Sequence, residues 1–494
     1  MSYSIGIDYG TASGRVFLIN TTNGQVVSKF VKPYTHGVIE GELNGLKIPH
    51  TYALQNSNDY LEIMEEGISY IVRESKIDPV NIVGIGIDFT SSTIIFTDEN
   101  LNPVHNLKQF KNNPHAYVKL WKHHGAYKEA EKLYQTAIEN NNKWLGHYGY
   151  NVSSEWMIPK IMEVMNRAPE IMEKTAYIME AGDWIVNKLT NKNVRSNCGL
   201  GFKAFWEEET GFHYDLFDKV DPKLSKVIQD KVSAPVVNIG EAVGKLDDKM
   251  AQKLGLSKDT MVSPFIIDAH ASLLGIGSEK DKEMTMVMGT STCHLMLNEK
   301  QHQVPGISGS VKGAIIPELF AYEAGQSAVG DLFEYVAKQA PKSYVDEAAN
   351  RNMTVFELMN EKIKHQMPGE SGLIALDWHM EVEKVFACGG IPKKNAVMMD
   401  IYTNVLNKKL IVMDSEYAPA IGAAILGAVS GGAHNSINDA VDAMKEPILY
   451  EINPEAEKVQ RYETLFKAYK ALHDIHGYKK ANIMKDIQSL RVEG

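Results

Sequence analysis

Cysteine is scarce in this sequence, and its placement argues against two kinds of site. The chain has three cysteines among 494 residues, Cys198, Cys293 and Cys388, and no pair has C-x-x-C spacing. The pattern therefore indicates neither a zinc site nor a disulfide framework. Such a sequence is typical of a protein that works in a reducing cytoplasm.

Long apolar runs and long basic runs are also missing. No window approaches the roughly 18 apolar residues that a membrane helix needs, and the opening MSYSIGIDYG lacks the charged start and apolar stretch of a signal peptide. Lys plus Arg number 51 and Asp plus Glu 62, a net charge of -11, with no basic run that could follow a nucleic-acid backbone. We expect a soluble, cytoplasmic protein with no membrane and no nucleic acid as partners.

The composition that remains is that of a large globular protein. Hydrophobic residues make up 44% of the chain and charged residues 23%, which is ordinary for a packed core. A chain of 494 residues is too long for one compact domain. We predict two lobes, residues 1–250 and 251–494. Strands alternating with helices in the second half predict α/β layers.

A strand, a glycine turn and a second strand occur in succession at two places. The runs 5–20 and 284–298 are both apolar at their ends and carry small polar residues at the bend. Backbone N–H groups in such a turn can surround a phosphate, although a plain hairpin uses the same residues for conformational reasons. Each bend contains a Gly-Thr pair: Gly10 and Thr11 in the first, Gly289 and Thr290 in the second.

Asp8 precedes the first Gly-Thr pair, whereas apolar residues precede the second. The two similar patterns suggest an internal duplication whose copies have diverged in chemistry. A third glycine element, FACGGIPKKN, ends an apolar strand in Gly389 and Gly390 and begins a helix near Asn395. A flat base could lie against such a backbone, and an ordinary strand-to-helix loop is the alternative.

Two acids follow apolar strands. Asp268 lies between the strand-like SPFII and small residues that predict a helix start. An acid at this place opens into the crevice where α/β proteins bind ligands, and it can accept a hydroxyl proton. A helix N-cap is the alternative, and both interpretations can hold together. Asp88 repeats the arrangement in GIGIDFTSST, whereas His270 is interpreted as a neighbour of Asp268 and not as a second base.

In this order, these elements resemble the FGGY carbohydrate kinases of the actin, hexokinase and heat-shock-protein superfamily over nearly the whole chain. The resemblance implies an α/β fold of two actin-like (ribonuclease H-like) domains with a cleft between them, which close over both substrates. Further stretches are similar to the branch of the family that phosphorylates L-ribulose: HGVIEGEL, VKLWKHHGA, SSEWMIPK, GFKAFW, YEAGQSAVGD and YETLFKAYKALH.

The resemblance implies transfer of a phosphoryl group from ATP to the C5 hydroxyl of a ketopentose, giving ribulose 5-phosphate in arabinose breakdown. It makes Asp268 the general base and gives Asp8 the role of holding Mg²⁺. Gly10, Thr11, Gly289 and Thr290 would surround the phosphates, and Gly389, Gly390 and Asn395 would contact the adenosine. The sugar would be held by Ser91, Lys203, Asp268 and Glu323. A homodimer is a family-level expectation.

Two of these sugar residues also have plainer interpretations. Lys203 could be a solvated lysine beside Trp206, and Glu323 could be an N-cap or a surface acid near Gly325. Charged side chains are mostly solvated, so the residue types alone favour the plainer interpretations. The resemblance reverses that preference.

One stretch departs from the family pattern, near residues 378–388. GLIALDWH from Gly372 and VEKVFACGG from Val382 both predict strands, with only a few residues between them. Parallel neighbours need a crossover of about a dozen residues or more, and the family normally has a loop and helices here. We expect a missing crossover segment, exposed apolar sheet surface and weakened ATP affinity.

Three hypotheses for the activity follow. The first is an active kinase for L-ribulose and possibly other 2-ketopentoses, and the second is a non-catalytic sugar-binding remnant with an impaired ATP site. An actin-like or chaperone-like ATPase is the third. It would require a peptide-binding or polymer-forming region, and the sugar-side stretches account for that sequence instead.

Overall fold

The computed structural model describes residues 1–289, 291–326, 329–368, 370, 383–415 and 417–474. Among these residues, no helix is both long enough and apolar enough to cross a membrane. The strands are β1 Tyr3–Tyr9, β2 Ser13–Asn20, β3 Val26–Pro33, β4 Glu42–Leu43, β5 Leu46–Lys47, β6 Leu54–Gln55, β7 Ile82–Phe89, β8 Ile94–Thr97, β9 Val118–Lys119, β10 Tyr177–Glu180, β11 Arg195–Ser196, β12 Trp206–Glu207, β13 Gly211–Phe212, β14 Val236–Val237, β15 Gly244–Lys245, β16 Met261–Val262, β17 Ile266–Ile267, β18 Glu283–Met288, β19 Thr292–Asn298, β20 Gly309–Lys312, β21 Phe320–Gln326, β22 Lys384–Cys388, β23 Leu410–Met413 and β24 Ile448–Ile452.

The helices are α1 Asn58–Ser75, α2 Tyr127–Glu139, α3 Met157–Arg167, α4 Pro169–Lys174, α5 Ala181–Thr190, α6 Asn197–Lys203, α7 Tyr214–Val220, α8 Leu224–Val227, α9 Asp248–Leu254, α10 Asp268–Ile276, α11 Gly330–Lys338, α12 Lys342–Asn350, α13 Val355–Ile363, α14 Gly390–Lys394, α15 Ala396–Leu406, α16 Ala418–Ser430, α17 Ile437–Met444 and α18 Ala456–Asp474. Strands and helices alternate along the chain, which confirms the predicted α/β class.

The chain forms two compact units. Unit 1 comprises residues 1–281, 293–325 and 415–447, and unit 2 comprises 282–292, 326–414 and 448–494. The chain therefore passes between the units several times. The domain boundary expected between residues 250 and 251 stays a prediction.

The central sheet of unit 1 places the first predicted turn at the end of two strands. Its strands lie in the order β15-β16-β7-β1-β2-β3, with β17 also paired to β7. The pairing of β1 with β2 is antiparallel, as predicted for residues 5–20, and it sets Asp8 opposite Arg15. The parallel pairing of β1 with β7 sets Asp8 beside Asp88. Both acids therefore lie near the carboxyl ends of neighbouring strands.

Helix α16 packs directly on the backbone of this sheet. Its sequence, APAIGAAILGAVS, is almost entirely small or apolar, and most of it is buried. A Cβ atom on Gly86 of β7 would lie 1.7 Å from the Ala423 carbonyl oxygen, and one on Gly6 of β1 would lie 2.1 Å from that of Ala420. Glycine in the strands is thus required for the close approach of helix and sheet.

Replacing Gly86 by Ala is therefore expected to force the helix away from the sheet. We expect the variant to lose about 3 kcal/mol of unfolding free energy, the upper end of the usual cost of overpacking. Gly325→Ala is the control, since a Cβ there meets no atom within 4 Å. Denaturant unfolding measures both, and equal stability of the two variants would contradict the packing argument.

Unit 2 contains a parallel arrangement of β18, β22 and β23. Strand β22 pairs in parallel with both β18 and β23, and β24 adds an antiparallel edge. The side chains of Val385 to Cys388 are buried, so β22 does not expose the apolar sheet surface that a missing crossover was expected to leave. The strand predicted from Gly372 lies outside the described residues.

Apolar exposure in unit 2 occurs instead on helix α11. Leu332 is 51% exposed, Tyr335 63% and Val336 49%. A soluble domain normally buries such a group of large apolar side chains. The helix therefore carries an apolar face that the described residues do not cover.

Candidate active site

Asp268 begins α10 immediately after the short buried strand β17. Its Oδ1 accepts a hydrogen bond from the Ala269 backbone N–H at 2.7 Å. Ile267 occupies the N-cap position and its side chain caps no amide. Asp268 is the first residue of the helix, so the interpretation of Asp268 as the N-cap residue is wrong. The Asp268 side chain remains partly accessible to solvent.

The pKa of Asp268 is raised to about 7. The surrounding protein, which disfavours the charged form, is the main cause. The Ala269 N–H and Lys203 oppose it, whereas the negative charges of Asp8 and Glu323 add to it. A carboxyl with this pKa can take a proton at neutral pH, which is what a general base requires.

Lys203, Glu323 and His270 form a buried, hydrogen-bonded group in the same unit. Lys203 Nζ lies 2.7 Å from Glu323 Oε1, and His270 Nε2 lies 2.9 Å from Glu323 Oε2. The Lys203 side chain is 3% exposed and that of Glu323 is 12% exposed. A solvated lysine and a surface acid, the plainer interpretations of these two residues, are therefore both wrong.

The contact of His270 with Cys198 indicates which ring nitrogen carries the proton. The Cys198 thiol lies 3.2 Å from His270 Nδ1, and burial raises the pKa of that thiol, so the thiol donates to Nδ1. Burial lowers the pKa of His270 against the pull of Glu323, so a neutral ring donates from Nε2 to Glu323. His270 thus orients Glu323, which agrees with its interpretation as a neighbour of Asp268 and not a second base.

Glu323 stays ionised despite its surroundings. Burial raises its pKa, but Lys203 and His270 outweigh that effect and lower it to about 2. The folded pKa lies below the ordinary value of 4.5. The ion pair therefore stabilises the fold above pH 4.5, and that contribution is lost as the pH falls towards 2.

Removing the lysine is expected to leave a buried carboxylate without its cation. Lys203→Met should lower the unfolding free energy at pH 7 by about 3 to 5 kcal/mol, the usual cost of breaking a buried pair. The difference from the parent chain should shrink as the pH falls from 4.5 towards 2. Thermal unfolding across this range measures it, and a pH-independent difference would contradict the ion-pair argument.

A second group of acids surrounds the start of β2. Arg15 Nη1 contacts Asp8 Oδ2 at 2.6 Å, and the Asp8 side chain is 3% exposed. Burial raises the pKa of Asp8, while Arg15 lowers it. Asp88 is fully buried, and among the described residues no donor reaches either of its oxygens. Burial, then Asp8 and Asp268, raise the pKa of Asp88 well above its usual range.

These acids fit a divalent cation. No group of three or more His, Cys, Asp or Glu side chains in the described part of the chain is arranged to hold a metal ion. Mg²⁺, however, usually takes only one or two carboxylates, together with water and substrate phosphates. Asp8 and the unpaired carboxyl of Asp88 meet that requirement.

The first Gly-Thr turn is held from three sides. Tyr34 donates from its hydroxyl to the Gly10 carbonyl at 2.9 Å, and Gln55 Nε2 donates to the Thr11 carbonyl at 2.8 Å. Trp121 Nε1 donates to Thr11 Oγ1 at 3.0 Å. Gly10 and Thr11 are themselves partly exposed. The turn is thus fixed in place while part of it remains open to a ligand.

In unit 2, two predicted glycines follow neighbouring parallel strands. Gly289 comes directly after β18 and Gly389 directly after β22. Gly389 has a φ of 103°, and a Cβ there would lie 2.4 Å from the Met288 carbonyl oxygen, so the position requires glycine. The carboxyl ends of adjacent parallel strands are where α/β folds bind ligands. Thr290 lies outside the described residues.

Gly390 and Asn395 occupy the two helix starts that follow. Gly390 is the first residue of α14, and a Cβ there would meet no atom within 4 Å. Asn395 caps α15, with Oδ1 accepting from the Met398 N–H at 3.0 Å. The side chain therefore has a structural task, and a role towards adenosine stays a prediction for both residues.

The predicted site residues fall into two groups by unit. Unit 1 holds Asp8, Gly10, Thr11, Ser91, Lys203, Asp268 and Glu323, and unit 2 holds Gly289, Gly389, Gly390 and Asn395. Sequence reasoning did not assign Arg15, although counting outward from the turn pairs position 8 with position 15 across the hairpin. Nor did it assign Asp88 a role, because an orphaned carboxyl is visible only once the burial is known.

Comparisons with known proteins define the class. The model described as "FGGY family of carbohydrate kinases, N-terminal domain" matches residues 3–275, and the one for the C-terminal domain matches 284–378 and 370–431. The chain belongs to the FGGY family of carbohydrate kinases. Members of this family are ATP-dependent sugar kinases.

Two curated relatives carry a more specific name. The chain is 91% identical to the ribulokinase of Staphylococcus aureus strain MRSA252 and 90% identical to that of strain N315, with all of both chains covered. The solved structures support the two-domain fold. A xylulose kinase from Rhodospirillum rubrum has a TM-score of 0.78 at 17% identity, with 96% of this chain and 99% of that chain covered. A Plasmodium falciparum glycerol kinase with ADP has a TM-score of 0.72 at 14% identity, with 96% of this chain and 98% of that chain covered.

The same comparisons bear on the departure near residue 378. The alignments to the relatives run over 545 positions, against 494 residues in this chain, so at least 51 positions are gaps here. The match to the C-terminal family model consists of two stretches, residues 284–378 and 370–431, which overlap at residues 370–378. The segment expected to be missing near residues 378–388 stays a prediction.

Proposed function

We propose that this chain phosphorylates L-ribulose on its C5 hydroxyl with ATP, giving ribulose 5-phosphate, and that other 2-ketopentoses are weaker substrates. The observation that carries the proposal is Asp268, a partly accessible carboxyl with a pKa raised to about 7. The ionised pair of Lys203 and Glu323 supplies the fixed charges that bind sugar hydroxyls. The name of the S. aureus relatives supports ribulose as the sugar.

In this reaction Asp268 accepts the proton of the C5 hydroxyl while that oxygen attacks the γ-phosphorus. The bond from the γ-phosphorus to ADP breaks, and the proton remains on the carboxyl. Lys203 and Glu323 orient the sugar by charged hydrogen bonds, which are stronger than neutral ones, and Ser91 adds a further contact. Positioning of this kind supplies most of the catalysis in phosphoryl transfer.

The remaining predicted residues bind the nucleotide. Gly10, Thr11, Gly289 and Thr290 would cradle the phosphates. Gly389, Gly390 and Asn395 would contact the adenosine. Asp8 would hold Mg²⁺, with Asp88 as the neighbouring acid, and the ion would neutralise the charge that develops on the phosphoryl oxygens. A cytoplasmic location, a pathway role in arabinose breakdown and a homodimer stay predictions.

A second candidate function rests on the missing segment. A chain that keeps the sugar residues but lacks a crossover segment beside the nucleotide motif could bind ketopentose without transferring phosphate, and the alignments to the relatives leave at least 51 positions unfilled in this chain. The residues of unit 1 are common to both candidates. The difference between them is confined to the handling of ATP.

A coupled ADP-release assay with ATP and Mg²⁺ tests the two candidates. L-ribulose, D-ribulose, D-xylulose and glycerol are compared as acceptors. We expect the fastest release with L-ribulose and little release without sugar. Equal rates with every acceptor would contradict the proposed substrate, and ribulose binding without any release would establish the non-catalytic candidate.

A further inference from the structure

The loop between β7 and β8 has a backbone that must be held in place. It comprises Thr90 to Thr93 and includes Ser91, the predicted sugar contact. Ser92 has a φ of 52°, a left-handed conformation that non-glycine residues adopt at a cost. The Ser91 side chain is partly exposed, whereas Ser92 and Thr93 are buried. The strained residue therefore lies directly beside the one that would meet the sugar.

Lys160 of α3 lies behind this loop. Its Nζ donates to the Ser92 carbonyl at 2.7 Å and to the Leu120 carbonyl at 2.8 Å, and the residue is fully buried. Lysine is almost never fully buried, because its amine loses hydration. Burial lowers the pKa of Lys160 to about 7, and a neutral amine can still donate both bonds.

The other end of the loop is held by a second buried ionisable residue. Glu180 Oε2 accepts from the Thr93 backbone N–H at 3.0 Å, and Glu180 is 1% exposed. The hydroxyls of Thr90 and Thr93 lie 2.8 Å apart. The loop is thus fixed at its carbonyl side by an amine and at its amide side by a carboxyl group.

The second bond of Lys160 extends this support to the phosphate turn. Leu120 precedes Trp121, whose indole N–H donates to Thr11 Oγ1. One side chain therefore ties together the segment that carries Ser91 and the segment that fixes Thr11. Neither segment is a sequence neighbour of α3, so this connection depends on the folded chain.

We propose that Lys160 is a positioning residue for the sugar, holding the strained Ser92 so that Ser91 faces the ketopentose. The inference rests on the proposed function for the identity of the sugar, but its structural part does not. Lys160 touches neither substrate. Its removal should therefore change the affinity for the sugar and the motion of the loop.

Lys160→Met tests the proposal, because methionine fills a similar volume without a donor. Lys192→Met is the matched control, since Lys192 Nζ also donates to a backbone carbonyl, that of Val243, at 2.7 Å. Calorimetric titration gives the Kd for L-ribulose and for ATP, and amide hydrogen exchange follows residues 91–93. Lys160→Gln, which keeps a shorter donor, replaces the Met variant if that variant does not fold.

We expect the Kd for L-ribulose to rise about tenfold or more in Lys160→Met, as for a displaced positioning group, with about tenfold faster exchange of the Thr93 amide. Lys192→Met should match the parent chain in its Kd for L-ribulose and in the exchange rate of the Thr93 amide. Unchanged exchange in a folded Lys160 variant overturns the proposal, as does ribulose affinity within about twofold of a parent chain that binds the sugar. A parent chain without ribulose affinity contradicts the proposed function instead, and the exchange rates then decide on Lys160.

Discussion

Asp268→Asn is expected to abolish sugar-dependent ADP release while leaving L-ribulose bound. The amide keeps the size of the carboxyl and its hydrogen bond from Ala269 but cannot accept the hydroxyl proton. Loss of a general base typically lowers the rate by about 100- to 10,000-fold. Steady-state kinetics measure the rate, and Asp218→Asn, at an exposed acid, is the control.

The pH dependence of the parent chain gives the same prediction a second readout. Because the pKa of Asp268 is about 7, the base is mostly protonated below that pH. Sugar-dependent kcat/KM should therefore fall about tenfold for each pH unit below 7 and level off above it. A flat profile between pH 5 and 8 would contradict the role of Asp268.

As the pH rises, the contribution of Asp268 to the free energy of unfolding should fall, whereas sugar-dependent kcat/KM should rise. The folded pKa of Asp268 lies above its ordinary value of 3.8, so the folded chain binds more protons than the unfolded chain between these values. The contribution of Asp268 to stability therefore falls as the pH rises from about 4 to 7. Asp268→Asn should melt at a higher temperature than the parent chain at pH 8, with a smaller difference at pH 4.

Supplying the crossover segment that we propose is missing is expected to have the other large effect. The segment would be taken from the S. aureus relative and inserted where its alignment to this chain opens the gap, which we predict to lie near residues 378–388. Because the predicted adenosine residues follow this junction, we expect tighter ATP binding and turnover higher by about 100-fold, as for a realigned reactant. ADP release and nucleotide titration measure these changes.

A matched insertion separates sequence from length. A Gly/Ser linker of the same length behaves as a flexible coil and supplies no helix, so it should restore nothing. Binding of a hydrophobic dye gives an independent readout, because α11 exposes Leu332, Phe333, Tyr335 and Val336 in the present chain. Equal ATP affinity with and without the native segment would show that the shortened junction is harmless.

The local elements could be predicted from the sequence, because their patterns are local. The two strands around Gly10 and the alternation of strands with helices in the second half follow from apolar spacing and glycine. The pairing of Lys203 with Glu323 could not be predicted in this way, since 120 residues separate the partners. Only the resemblance to a family brought them into one site.

The burial of individual charged side chains could not be predicted from the sequence. GIGIDFTSST indicates an acid at a strand end, but not that both oxygens of Asp88 lack a donor within the described residues. Nor does SSEWMIPK distinguish Lys160 from a solvated helix lysine, although the folded chain aims it at two carbonyls. Contacts between distant segments create both environments, and no local spacing encodes them.

Calorimetric titration of L-ribulose into the purified parent chain is the measurement that decides on the proposed substrate, because the proposed sugar residues Ser91, Lys203, Asp268 and Glu323 all lie in unit 1 and the predicted missing segment lies in unit 2. We expect saturable binding of one sugar per chain, weaker binding of D-xylulose and glycerol, and loss of affinity in Lys203→Met. Absence of any ribulose binding by a chain that unfolds cooperatively would contradict the proposed substrate.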